Sequence, residues 1–167
     1  MALQEIEVDG AKVQINSAST KFQGVLLAPM HTAEHILNQT MVRMFGCPRS
    51  RNAHIERKKS KCDYQLPQAP TDEQVQELER RVNEAIGRNM DVTYEFVHRD
   101  EVPPEVDLGK LPDDASDTLR LVRIGDYDLC ACVGTHVRNT SEVGTFKIIS
   151  HDYNAETHTW RMRFKLQ

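Results

Sequence analysis

Pro29-Met30-His31-Thr32-Ala33-Glu34-His35-Ile36-Leu37-Asn38-Gln39-Thr40-Met41-Val42-Arg43-Met44-Phe45-Gly46-Cys47-Pro48 reads as one helix with chemistry on one face and core on another. Pro29 suits a first helical turn, where its missing N–H costs nothing. Beyond it, Ile36, Leu37, Met41, Met44 and Phe45 recur at helical spacing, and Gly46 followed by Pro48 supplies the stop. Met41 and Met44 read as core filler. Residues three and four apart stack along a helix, so His31, His35 and Asn38 share a face. Two histidines at this spacing can reach one ion.

Far downstream, Cys132-Val133-Gly134-Thr135-His136 offers a second pair spaced by four. Gly134 permits the backbone bend that brings its two side chains together. Alone, each histidine reads as an ordinary polar residue. Together, the pairs make a tetrahedral nitrogen and sulfur set that suits zinc, and folding removes the obstacle of sequence distance. Three protein ligands leave one position open, and such a site belongs to a hydrolase. With four, a catalytic ion must expand its coordination, lose a ligand, or serve to hold substrate. If Cys130 and Cys132 lie on a strand they face the same side. With four ligands already available, Cys130 reads as a buried thiol. Glu34 gives the order His-x-x-Glu-His, which is that of inverted zincins. It points about 100° away from His35 around the helix, and reads as a solvated carboxylate.

A length of 167 residues favours a single domain over residues 1–167, with residues 1–28 a candidate N-terminal strand extension. No apolar run is long enough to span a membrane. The first residues lack the basic end and apolar centre of a secretory signal, so a cytoplasmic location is the default. The four cysteines, Cys47, Cys62, Cys130 and Cys132, are too sparse for a disulfide framework and fit reduced thiols. A net charge of −4 does not advertise nucleic-acid binding, but its distribution is uneven. Arg43, Arg49, Arg51, Arg57, Lys58, Lys59 and Lys61 face one acid, Glu56, whereas Glu95 to Asp117 holds eight acids and two bases. Such asymmetry can focus a polyanion onto one face. Arg57-Lys58-Lys59 reads equally well as a solvated turn or as a phosphate-facing one.

The remaining pattern is an α+β fold, an antiparallel-rich sheet packed with helices. Glu5 to Asp9 and Val13 to Ile15 read as a strand pair turning at Asp9-Gly10. Two short strands flank Arg57 to Lys61 between Ala53 and Leu66. Thr71-Asp72-Glu73-Gln74 is a capping box opening a scaffold helix with Val75, Leu78, Val82, Ala85 and Ile86 on its buried stripe. That helix has a long polar face and needs no partner helix. Asp91 to Val97 and Leu119 to Gly125 read as strands, separated by a loop or short-helical acidic insert after Pro103-Pro104. Phe146 to Ser150 and Trp160 to Phe164 are strands joined across polar Asp152 to His158. His54 is a candidate substrate contact, His98 begins the acidic loop, and His151 and His158 read as exposed. Arg120, Lys147 and Arg163 read as surface charge.

His31-Thr32-Ala33-Glu34-His35-Ile36-Leu37 followed by Cys132-Val133-Gly134-Thr135-His136-Val137 resembles the editing domain of alanyl-tRNA synthetase, which free-standing AlaX proteins share. The likeness continues through Leu78-Glu79-Arg80-Arg81-Val82-Asn83, Asn139-Thr140-Ser141-Glu142-Val143-Gly144, Phe146-Lys147-Ile148 and Arg161-Met162-Arg163-Phe164. It covers most of the chain from Met30. Threonyl-tRNA synthetase editing domains are similar in outline, and Gly134-Thr135-His136 favours the alanyl type. The resemblance implies a zinc-bound deacylase that removes serine or glycine from mischarged tRNA(Ala). It also implies Zn2+ on His31, His35, Cys132 and His136, with Thr32 and Thr135 bordering the amino-acid pocket. Arg49 to Lys61 becomes the candidate acceptor-stem contact. No DNA or membrane partner is implied. The glycine-rich loop of larger free-standing forms is missing, which implies the short class, and no amino-acid activation domain fits this length.

Val133 stands where the family often has glycine, and its branched side chain narrows the pocket or alters the backbone approach. A pocket built to hydrogen-bond the serine hydroxyl rejects alanine strongly. Thr32 is the preferred reader and Thr135 the second, although either residue type also serves in caps and turns. The ion either activates water and polarises the ester oxygen, or fixes the substrate amine, or excludes the cognate side chain. No residue stands out as general base. Two further readings remain open: an inactive tRNA-binding zinc protein, and a zinc hydrolase of another aminoacyl ester.

Overall fold

Helix α1, Ala28–Phe45, carries Pro29 in its first turn and ends where Gly46, at φ 65°, returns its N–H to the Val42 carbonyl at 2.9 Å. Only glycine takes that left-handed turn cheaply, so the stop legible in the sequence is where the helix stops. The computed structural model describes residues 3–8, 11–16, 27–104, 106 and 118–167. From Ala28 to Met41 the helix is buried around most of its circumference: Ile36 and Leu37 face the core, and His31, Thr32, Glu34, His35 and Asn38 are buried as well.

The buried positions of α1 meet a four-stranded antiparallel sheet of β3 (Asn52–His54), β4 (Ser60–Gln65), β8 (Phe146–Asn154) and β9 (Thr159–Leu166), in the order β3-β4-β9-β8. Side chains alternate across a strand. Trp160, Met162 and Phe164 on β9, with Cys62 and Tyr64 on β4, therefore line one face and join the core with α1. Strand β8 runs past the expected Ser150 to Asn154, so Asp152 belongs to a strand and the turn is confined to residues 155–158. Cross-strand pairing from Ser150↔Arg163 to Asn154↔Thr159 holds this polar segment extended.

Helix α2, Asp72–Ile86, opens with the capping box that the sequence announces: Gln74 N–H donates to Thr71 Oγ1 at 3.1 Å, and Thr71 N–H to Gln74 Oε1 at 2.9 Å. Leu78, Val82, Ala85 and Ile86 are buried. Contrary to the expectation that α2 needs no partner helix, it packs against α1 as well as β8. Its polar residues also close the outer edge of β8. Asn83 bonds both the N–H and the carbonyl of Phe146, and Glu79 accepts from Ile148 N–H. Backbone groups of an edge strand are thereby denied to another chain.

A three-stranded antiparallel sheet holds β5 (Val92–His98), β6 (Thr118–Ile124) and β7 (Asp128–Ala131), in that order. Strand β6 is buried on both faces, with Val122 and Ile124 in the main core and Leu121 in a smaller cluster with Val106 and Ala131. A single 3-10 turn, Arg99–Glu101, follows β5, and most of the acidic insert lies outside the described residues. The expected N-terminal strand pair is β1 (Leu3–Val8) with β2 (Ala11–Asn16), in a two-stranded sheet of its own. Its Asp9-Gly10 turn lies outside the described residues. Among the described residues, no helix is long and apolar enough to cross a membrane.

One cross-strand pair gives a pH signature. Asp63 on β4 receives Arg161 Nε and Nη2 from β9 at 2.8 and 2.9 Å, and Arg161 chiefly holds its carboxyl below the usual range. A carboxyl lowered by folding stabilises above its unfolded pKa of about 3.9, and that contribution is lost as pH falls through the folded value. Asp63→Asn is therefore expected to cost up to about 1 kcal/mol at pH 7, the ceiling for a pair this exposed. Urea melts of both proteins should converge in acid. An equal gap at pH 7 and at about pH 2 would remove the ion pair as its cause.

Candidate metal centre

Helix α1 places His31 and His35 one turn apart, with ring centroids 5.0 Å apart and planes nearly perpendicular. The facing segment leaves the end of β7 and bends through residues 132–136. Arg120 on β6 fixes that bend. Its Nε donates to the Cys132 carbonyl at 2.8 Å, its Nη2 donates to the Gly134 carbonyl, and its own carbonyl accepts from Cys132 N–H at 3.1 Å. Arg120 is only 7% exposed, so it is an internal brace and not the surface charge expected. Thr32 then stitches the bend to α1. Its hydroxyl accepts from Val137 N–H at 3.2 Å and lies 2.9 Å from His136 Nδ1.

The result is convergence. Ligand atoms of His31, His35, Cys132 and His136 all lie within 4.8 Å of one another. His136 stacks on His31 at 4.2 Å between centroids and meets His35 edge-on at 4.4 Å, and Cys132 Sγ is 3.3 Å from His31 Nε2. Two of the imidazoles turn Nδ1 to a hydrogen-bond partner, His31 to the Thr135 carbonyl at 3.3 Å and His136 to Thr32, whereas His35 Nδ1 faces Asp128 Oδ2 at 3.6 Å, beyond hydrogen-bond reach. His136 Nε2 is buried with no hydrogen-bond partner. Orphaned buried nitrogens are rare, and one beside a thiol in a ring of imidazoles fits a cation. These four residues can hold a metal ion, and the donor set is compatible with zinc.

The electrostatics agree with an anionic sulfur. Burial opposes the thiolate, but His31 and His35 pull Cys132 well below the usual thiol range. Burial also opposes charge on His35, yet Cys132 and Asp128 raise it to about 9. His136 is driven well below the usual imidazole range, mainly by burial. Cys130 lies outside the group of four. Burial pushes its thiol up to about 12, so it is the inert thiol expected. All four cysteines are free.

The sequence profile described as the Threonyl and Alanyl tRNA synthetase second additional domain matches residues 119–159, which include β6 from Leu119, β7 and the Cys132 to His136 bend. The alanine–tRNA ligase of Thermoanaerobacter sp. (strain X514) is 33% identical over 143 residues, covering 85% of this chain and 16% of the relative. That of Fervidobacterium nodosum is 33% identical over 121 residues (72% and 14%), and that of Bacillus subtilis (strain 168) 31% over 121 residues (72% and 14%). This chain belongs to the editing-related domain family of alanyl- and threonyl-tRNA synthetases. It spans about one-sixth of the first of these relatives. The α+β architecture, two helices with antiparallel sheets among the described residues, agrees with that family.

Around the centre of this editing-related domain lie residues whose roles differ from those expected. Glu34 is 1% exposed and not solvated: Asn38 Nδ2 donates to its Oε1 at 3.2 Å, and its Oε2 is 3.7 Å from His31 Nε2. Arg49, expected to face phosphate, forms an internal pair with Asp128 at 2.6 Å. Arg43 donates to the Tyr127 carbonyl at 2.8 Å and stacks on its ring. Arg57, Lys58 and Lys59 remain exposed on the turn between β3 and β4. His54 pairs with Glu56 at 2.7 Å, and His98, His151 and His158 are exposed. Thr32 is fully buried, whereas Thr135 and Val133 are half-buried. Sequence reading passed over Asp128. Its one signal is strand alternation, which puts it on the same face as Cys130, two residues before the Cys132 segment.

Proposed function

We propose that this chain is a zinc-dependent aminoacyl-tRNA deacylase that hydrolyses seryl-tRNA(Ala), with glycyl-tRNA(Ala) as a second substrate. The observation that carries the reading is the convergence of three imidazoles and a thiolate-prone cysteine from remote segments, in a chain of this family. His31, His35, Cys132 and His136 would hold the ion. When bound, zinc supplies a Lewis acid that stabilises negative charge developing on an ester oxygen.

The chain's own residues supply orientation and selection. Thr135 hands its backbone carbonyl to His31 Nδ1, which fixes that ring as the Nδ1–H tautomer with Nε2 facing Cys132. Val137 N–H donates to the buried Thr32 hydroxyl, and with His136 held to the ion through Nε2 its Nδ1–H would donate there too, so that the Thr32 proton would be the one left for a serine hydroxyl. Thr135, half-buried beside His136, would be the second reader. Alanine cannot accept the Thr32 donor, and that loss sets the direction of discrimination. Mischarged tRNA is the partner, with exposed Arg57, Lys58 and Lys59 as the phosphate-facing residues. A deacylase of charged tRNA works where translation does, in the cytoplasm.

The test is a panel of tRNA(Ala) charged with serine, glycine or alanine, beside tRNA(Ser) charged with serine, assayed with zinc and with chelator. Zinc-loaded protein is expected to release serine from tRNA(Ala) more than about 100-fold faster than alanine. Binding without release would leave an inactive tRNA-binding protein. Equal release from every ester would leave a general aminoacyl esterase.

A further inference from the structure

We propose that Asp128, clamped by Arg49 and Gln39, is the positioning residue that orients His35 toward the metal, a role that rests on the metal-centre reading above. Asp128 is 4% exposed, and its two oxygens are used unequally. Oδ1 accepts from Arg49 Nη1 at 2.6 Å and from Gln39 Nε2 at 3.0 Å. Oδ2 accepts one longer bond, from Arg49 Nη2 at 3.3 Å, and otherwise faces His35 Nδ1 at 3.6 Å. That nitrogen is itself buried without a hydrogen-bond partner. An acceptor with spare capacity thus faces an unsatisfied donor, separated by about 0.8 Å more than a charge-assisted N–H···O bond needs. With that bond made at Nδ1, Nε2 would be the nitrogen offered to the ion.

His31 and His136 hand their Nδ1 atoms to a carbonyl and a hydroxyl, both neutral. Among the three rings, His35 is the one whose Nδ1 faces a carboxylate; the Glu34 carboxylate lies 3.7 Å from His31 on its Nε2 side. A carboxylate behind an imidazole fixes the tautomer, locks the ring plane and makes the other nitrogen a better donor. Burying that carboxylate is costly unless it is paired, and Arg49 supplies the charge. The clamp also unites three parts of the fold: Gln39 from α1, Arg49 from the segment after it, and Asp128 from the first position of β7. The first basic residue of the candidate phosphate-facing run is therefore spent on the interior. An arginine fork suits the task, because it grips both carboxylate oxygens in one plane.

Zinc affinity, read by competition with a chromogenic chelator, tests the assignment in four full-length proteins: wild type, Asp128→Asn, His35→Ala and the double variant. Asp128→Asn is expected to weaken zinc binding 10- to 100-fold, in the range of about 10–100-fold for loss of an outer partner. In the His35→Ala background the same change should cost less than about 3-fold, because the effect travels through His35. Unchanged zinc affinity in Asp128→Asn, or an equal loss in both backgrounds, overturns the proposal while leaving the metal centre intact. Absence of zinc binding by the wild type overturns the metal centre and this role with it. Should Asp128→Asn fail to fold, the wild type decides the matter through 15N chemical shifts of His35 in the zinc-loaded protein. Metal on Nε2 with a hydrogen-bonded Nδ1–H supports the role, and metal on Nδ1 overturns it.

Discussion

Replacing Cys132 by alanine is expected to abolish tight zinc retention and to lower serine release from seryl-tRNA(Ala) by more than about 100-fold, beyond the range of losing an outer partner. Cys132 is the anionic member of a set whose other three members are neutral imidazoles as ligands. Without the thiolate, three imidazoles crowd one space with rings 4.2–5.0 Å apart and no negative donor among them. The bend itself should survive, because Arg120 holds it through the carbonyls of residues 132 and 134 and through Cys132 N–H. Metal-free wild type and Cys132→Ala should then melt within a few degrees of each other. Zinc should raise the melting temperature of the wild type alone, by the linkage that gives about 4 kcal/mol at a thousandfold excess over Kd. Metal analysis, calorimetry and the deacylation assay read the three parts separately. Stoichiometric zinc together with full activity in Cys132→Ala would sink the centre as proposed.

How much of this was legible follows from the range over which each signal acts. Helix α1 declared itself through local period, a proline at its start and Gly46 at its end, all of which act within a few residues. The two ligand pairs were legible for the same reason, since a spacing of four is local chemistry. The converse holds for the charges. Arg49 and Asp128 lie 79 positions apart, and Arg120 reaches a carbonyl 14 residues on across an adjacent strand. Composition treats a charged residue as solvated by default. Only the tertiary fold shows that Arg120, Asp128 and Glu34 are interior and that the Arg49 side chain is largely enclosed against Asp128. Polar Asp152, Tyr153 and Asn154 misled for a related reason: they extend because β9 offers a matching register, not because their own propensity favours a strand. Helix α2 was legible in its cap but not in its neighbours, since a polar face can serve solvent, a second helix or a strand edge alike.

Asn38→Ala is the substitution expected to harm stability most, by about 3–5 kcal/mol, because one amide serves three buried partners. Its Oδ1 accepts from Tyr64 O–H at 2.7 Å and from Ser50 N–H at 3.2 Å, and its Nδ2 donates to Glu34 Oε1 at 3.2 Å. Tyr64, Ser50 and Glu34 are each 1% exposed, so water cannot readily replace the lost amide. Tyr64→Phe removes a donor but leaves Asn38 Oδ1 bonded to Ser50, and should cost only about 1 kcal/mol. The contrast between the two variants separates a shared hub from a single hydrogen bond. Glu34 adds a second contrast. A buried carboxylate stripped of its Asn38 donor is worse placed than a neutral amide there, so Glu34→Gln should recover part of the loss when combined with Asn38→Ala. For a chain of this size the single loss corresponds to a fall in melting temperature of roughly 10 °C. An Asn38→Ala protein within about 0.5 kcal/mol of wild type would mean that the amide is not the hub its geometry describes. Because Glu34 sits 3.7 Å from His31 and Asn38 one turn beyond Glu34, the same variant should also loosen zinc, joining the stability of α1 to the chemistry on its face.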